Sequence, residues 1–122
     1  MYEVRADQQK NRLYIILKGF LSDEEVKQAA EEVIQKVQQL QPGFGIINDI
    51  AELAPASPEA TGYIKQAQTA AFRHGPSKVV RVVKSAISSM QFNRLQKEAG
   101  ANYETLQAQT LEEAERILDV TG

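Results

Sequence analysis

A single histidine, His74, and the absence of cysteine set the catalytic repertoire of this 122-residue chain. Without a thiolate, nucleophilic catalysis would fall to a serine or threonine activated by that one imidazole. Disulfides and cysteine-based zinc sites are excluded outright. No Gly-x-Ser-x-Gly elbow presents such a serine. His74 stands directly before Gly75-Pro76, where a helix is expected to stop, so capping of helix-end carbonyls and the helix dipole account for it better than catalysis does. One histidine with scattered acids cannot close a metal site, and neither type of glycine-rich phosphate loop is present. Neither a cofactor nor a metal is expected.

The acidic pairs Glu24-Glu25, Glu31-Glu32 and Glu112-Glu113 read as helix-start or solvent-face charge rather than as acid/base machinery. Asn48-Asp49 is the exception. The two residues close an apolar run, and open α/β sheets bind ligands outside the carboxyl ends of their strands. The preferred competing reading makes Asp49 the cap of a turn over residues 50–53.

The net charge of −2 hides an uneven distribution. Residues 1–59 carry six basic and ten acidic side chains, 60–97 carry seven and none, and 98–122 carry one and six. Within the basic middle, Arg73, Lys78, Arg94 and Lys97 are the candidates for a patch that meets an acidic partner, a phosphorylated metabolite or an anionic lipid headgroup. The equal alternative is that this segment neutralises acids of the first and last helices inside the same fold. Nucleic acid is not an expected partner, because basic residues are not interleaved with aromatic ones and no binding motif is present.

The elements that would hold these residues follow from periodicity and caps. Residues 2–7 and 12–18 read as a hairpin around a polar turn. Ser22-Asp23-Glu24-Glu25 is a capping box, and Val26, Ala29, Ala30, Val33, Val37 and Leu40 repeat as one helical stripe. Residues 44–49 read as a short buried strand. Ser57-Pro58-Glu59 starts a second helix, carrying Tyr63 and Phe72, that ends at His74-Gly75-Pro76. Residues 78–84 form a valine-rich strand suited to burial on both faces, with Arg81 the misfit. Ser88 or Ser89 would cap a third helix whose buried positions are Met90, Phe92, Leu95 and Ala99. Residues 103–108 form an edge strand, and Thr110-Leu111-Glu112-Glu113 opens a closing helix with a second capping box.

The order β-β-α-β-α-β-α-β-α predicts one α/β domain over residues 1–122, a mostly parallel or mixed five-stranded sheet flanked by four helices. With the local runs 46–50, 78–83, 90–95 and 110–118, that order resembles the STAS domain and the SpoIIAA-like single-domain bacterial proteins. The resemblance covers essentially the whole chain and implies a non-enzymatic regulatory or protein-interaction module. It places Ser57-Pro58-Glu59-Ala60 where antagonists of that family carry a phosphorylated Asp-Ser-Ser motif. The second serine is missing here. Ser57 therefore reads first as a helix cap, with a phosphoswitch, or a permanent negative charge at Glu59, as the competing readings.

The resemblance puts Asp49, Ser57, Glu59 and Tyr63 on an interaction surface for a protein partner, with Phe72 a further anchor, and leaves a homodimer possible. The related lipid-exchange fold gives the alternative, a domain binding a small lipid or anionic metabolite. With no signal peptide, and with the longest apolar run (13–17) far short of the ~20 residues that span a bilayer, a cytoplasmic location is expected.

Overall fold

The computed structural model describes every residue except Ser85, Asn102 and Gly122, and the side chains of the others except Ala86, Ser88 and Thr121. The elements are β1 (Tyr2–Asp7), β2 (Arg12–Gly19), α1 (Asp23–Val37), β3 (Gly45–Leu53), α2 (Pro58–His74), β4 (Lys78–Val82), α3 (Ala86–Glu98), β5 (Glu104–Ala108) and α4 (Leu111–Thr121). They build one five-stranded sheet in the order β1-β2-β3-β4-β5. Only β1 is antiparallel to its neighbour. This is the expected α/β architecture with a hairpin at its start.

Every parallel crossover steps the same way across the sheet, and right-handed crossovers then lay their helices on one face. Accordingly α2 packs between α1 and α3, while α4 returns to the opposite face over β3, β4 and β5. Alternation along the strands divides the core. Leu13, Ile46 and Val79 join the larger cluster under α1–α3, whereas Tyr14, Ile47, Val80 and Val82 meet Ala114 and Leu118 of α4. Gly45 lets α4 come close, because a Cβ there would lie 3.0 Å from Leu118 Cδ1.

Several sequence expectations are refined. β3 runs on to Leu53, because β2 continues to Gly19 and offers it partners through the pairs Lys18↔Glu52 and Gly19↔Leu53. Asp49 therefore lies mid-strand, not at a strand end. Between Ile16↔Asp49 and Lys18↔Glu52 the register slips by one residue, and the Asp49 carboxylate accepts the Ala51 amide at 3.1 Å within that bulge. β4 stops at Val82, and Leu40 lies beyond the end of α1, although it is buried.

α3 starts at Ala86, so Ser89 sits inside it rather than capping it, and the side chain of Ser88 lies outside the described residues. The buried stripe of α3 runs through Ser89, Phe92 and Leu95, which turns Met90 outward at 69% exposure. The first capping box is present in full at Ser22 and Glu25. In the second, Thr110 accepts the Glu113 amide, but the Glu113 carboxylate takes the amide of Gln109 instead of that of Thr110.

α4 is held to the sheet by charge as well as by apolar contact. Arg12, only 6% exposed, donates to Glu115 at 3.2 Å and to Asp119 at 3.0 Å, and the Tyr14 hydroxyl donates to Glu115 at 2.6 Å. Burial pushes the Glu115 carboxyl up, but the bonds from Tyr14 and Arg12 and the charges of Arg12 and Lys10 outweigh it and hold the group below its ordinary value. A depressed carboxyl contributes stability that is complete above the unfolded value of about 4.3 and is lost as pH falls through the lower folded value. Urea unfolding midpoints should thus fall between pH 7 and pH 3. Glu115→Gln should flatten that dependence, and an unchanged pH profile would show that the latch contributes nothing.

Candidate functional site

The register aligns residues of the four parallel strands in rows, and one row is unlike the others. Ile15, Asn48, Arg81 and Gln107 stand side by side on the face covered by α1–α3. Adjacent strands lie about 4.8 Å apart, so this places an amide, a guanidinium and a second amide in sequence beneath the helices. Arg81 is 1% exposed, the largest fully buried side chain, and Asn48 is buried too.

α3 supplies partners for part of the row. Arg81 Nη1 donates to Asn93 Oδ1 at 2.6 Å and Nη2 donates to Gln96 Oε1 at 3.1 Å. Gln96 is itself fixed, accepting from the Thr105 hydroxyl and donating to the Tyr103 carbonyl. Gln107 Nε2 donates to the buried Ser89 hydroxyl at 2.6 Å. The guanidinium also sits 5.5 Å from the centre of the Phe92 ring.

No carboxylate forms an ion pair with Arg81 among the described residues. Both of its bonds go to neutral amide oxygens. Burial accordingly pushes the guanidinium below the ordinary arginine value, with the Tyr103 phenol opposing it, and burial raises the phenol in turn.

The row opens into a cavity of about 70 Å³ between the sheet and the helices. Apolar side chains make most of its wall, among them Ile15, Ile46, Val79, Ala67 and Ala71. Asn48, Gln68 and Arg81 bring polar groups to it. Asn48 Oδ1, Gln68 Oε1 and Arg81 Nε, each with less than 1 Å² of accessible surface, are buried behind that wall without a hydrogen-bond partner in the protein. Such groups ordinarily find protein or solvent partners, since each buried one left unsatisfied costs about 1–3 kcal/mol. The arrangement sets a fixed cation and two amide side chains among the residues of a mostly apolar wall.

The residues singled out from sequence are placed elsewhere and apart. Ser57 caps α2, accepting the Ala60 amide at 3.1 Å, and its hydroxyl donates to Asp23 at the start of α1. Glu59 occupies the first turn of α2 and is exposed. Tyr63 packs partly buried against the core under α1–α3, while Asp49 belongs to the opposite face of the sheet, in the same row as Val82. Phe72, 37% exposed, meets the Tyr103 ring at 6.3 Å.

The basic candidates are also dispersed. Arg94 pairs with Glu98, which Lys65 of α2 also reaches. Arg73 lines the α2–α3 groove beside Lys65, Lys97 lines a separate groove between α3 and β5, and Lys78 opens β4 beside Glu104 of β5. Among the described residues, Glu115 and Asp119 of α4 are met by Lys10 and Arg12 rather than by the basic middle. His74 Nε2 lies 2.6 Å from the Leu40 carbonyl, its ring beside Phe44, so it ties the end of α2 to the α1–β3 connection.

Sequence reasoning missed the cavity. Its one available signal was Arg81, a charge inside a valine strand. The fold and site together define a mixed-sheet α/β domain with a small, mostly apolar void beside a buried arginine under its three-helix layer. No protein-family model matches the chain, and no curated protein matches it. Among the described residues no helix is long and apolar enough to cross a membrane.

Proposed function

We propose that the protein is a non-enzymatic, STAS-like regulatory module that binds a small polar ligand beneath α1–α3. One observation carries this reading: a fully buried arginine that forms no ion pair among the described residues lines, with Asn48 and Gln68, a cavity of about 70 Å³ under the three helices. A purely structural buried cation would be expected to have an acid partner. The cavity lies well below the roughly 300–1,000 Å³ of drug-sized sites, which favours an anionic metabolite over an acyl chain.

A second observation favours a protein partner as well. Phe20, after β2, and Ile87 and Met90, in the first turns of α3, are 80%, 70% and 69% exposed at the end of the sheet where the parallel strands finish. These side chains, with Ser57 and Glu59 at the same end, suit an interaction surface and give a cytoplasmic regulator its output.

The ligand reading is tested by a fragment titration followed in ¹H–¹⁵N spectra. At least one small polar fragment should shift the side-chain resonances of Asn48, Gln68 and Arg81 together, and filling the void with Ala71→Leu should abolish the response. If no fragment perturbs these groups, the cavity holds solvent only and the reading fails.

A further inference from the structure

The sheet ends differently on its two sides, and the geometry points to β5 as a self-pairing edge: two copies of this chain join β5 to β5, antiparallel, about a twofold axis. The strand lies outside the cavity, and its pairing does not depend on a bound ligand.

The strand order leaves β1 and β5 as the edges of the sheet. β1 is closed to further strands. Met1 and Lys18 exchange both main-chain bonds, so by alternation Tyr2, Val4 and Ala6 turn their backbone groups away from β2. Lys36 of α1 donates from Nζ to that outward carbonyl of Val4, and Glu3 and Arg5 stand exposed along the strand as an ion pair. Lysine and other charges on an edge are a common means by which native sheets resist added strands.

β5 has none of these guards. The Val83 amide donates to the Ala108 carbonyl, which turns the backbone groups of Glu104, Leu106 and Ala108 toward β4 and leaves those of Thr105 and Gln107 facing outward. Among the described residues no side chain or loop bonds to these outward groups. The strand holds no lysine, proline or bulge.

The occupant follows from the sequence of the strand. In Glu104-Thr105-Leu106-Gln107-Ala108, a twofold axis at Leu106 sets Thr105 opposite Gln107 of the second copy, and each such pair exchanges both main-chain bonds because both residues face outward. This register overlaps the whole strand. Its one charge, Glu104, then faces Ala108 of the second copy, and the two Glu104 carboxylates lie about 13 Å apart along the strands. Leu106, half-buried on the α4 face, meets Leu106 of the second copy and completes its cover. A foreign strand would have to match this pattern, whereas a second copy already carries it. The joined sheet leaves only the two guarded β1 edges outside, so assembly closes at two chains.

Sedimentation velocity on the full chain, from micromolar to near-millimolar concentration, should show the mass rising from one chain to two and no further. Gln107→Pro should keep the chain monomeric, because the ring removes an outward amide that no bond inside the protein uses, a change that edge strands accept. Leu106→Lys and Leu106→Glu, each alone, set like charges face to face across the axis and should also stay monomeric, while their equimolar mixture should restore the two-chain mass. That rescue requires residue 106 to oppose itself, and it keeps the test decisive if the proline variant does not fold.

A native chain that stays monomeric throughout, a two-chain species that survives in folded Gln107→Pro, growth beyond two chains, or a charge-swapped mixture that remains monomeric overturns the assignment. So does a monomer that takes a foreign extended peptide on β5 in place of its own copy.

Discussion

Arg81→Met should raise the stability of the protein, by about 1–2 kcal/mol in a denaturant titration, while removing the ligand response that the proposed function requires. Exchanging buried ionic groups for apolar ones of similar volume is often neutral, or stabilising by about 1–4 kcal/mol, because the desolvation cost disappears. Here the guanidinium has no carboxylate to offset that cost among the described residues. Its partners also survive its loss. Asn93 is exposed and its amide can return to water, and Gln96 keeps Thr105 and Tyr103. A stabilised variant would identify Arg81 as a residue held at the expense of stability, as binding sites often are. A loss of more than about 1 kcal/mol would show instead that the amide bonds to α3 are structural.

The largest destabilisation is expected at Phe44. This ring is 0% exposed, lies beside His74 at 5.6 Å between centres, and belongs to the core beneath α1 and α2. Its carbonyl meanwhile accepts from both the amide and the hydroxyl of Ser77, which fixes the connection leading into β4. Phe44→Ala should cost about 3–5 kcal/mol, the range for emptying an aromatic site that cannot collapse. Urea unfolding followed by far-ultraviolet circular dichroism measures it. A cost under about 1 kcal/mol would mean that the α1–β3 connection closes into the space.

The element order was legible because its signals are local. Ser22 with Glu25, Ser57 with Pro58, and Gly75 each act within a few residues, and all three appear as read. The extension of β3 to Leu53 was not legible, since it depends on partners that β2 supplies from more than thirty residues away. Met90 faces outward although periodicity places it in the buried stripe of α3, for a similar reason. The register of that helix is set by Ser89 meeting Gln107 on a later strand, which turns a polar residue inward and a methionine outward.

The cavity lay furthest from view. Asn48, Gln68 and Arg81 belong to three different elements, and only the parallel register and the placement of α2 bring them to one void. Periodicity exposed Arg81 as a misfit but could not name its neighbours. The grouping of Asp49 with Ser57 and Tyr63 depended on Asp49 ending a strand. Once β3 continues past it, Asp49 and Tyr63 belong to opposite faces of the sheet.

The strand order of the sheet is also the order of the chain. Each β-α unit leaving the ribosome can therefore dock on an edge that is already complete, and no strand has to be inserted between two others. Domains commonly form from the N-terminus during synthesis, and this topology suits growth by addition. The exception is α4, whose Glu115 reaches back 103 residues to Arg12 and 101 to Tyr14. Until that last helix is made, one face of the nascent sheet, with Tyr14, Ile47 and Val80, has nothing to cover it. The eleven residues of α4 thus complete that face, and a chain truncated before them would emerge with its three-helix layer assembled and its other face open to aggregation.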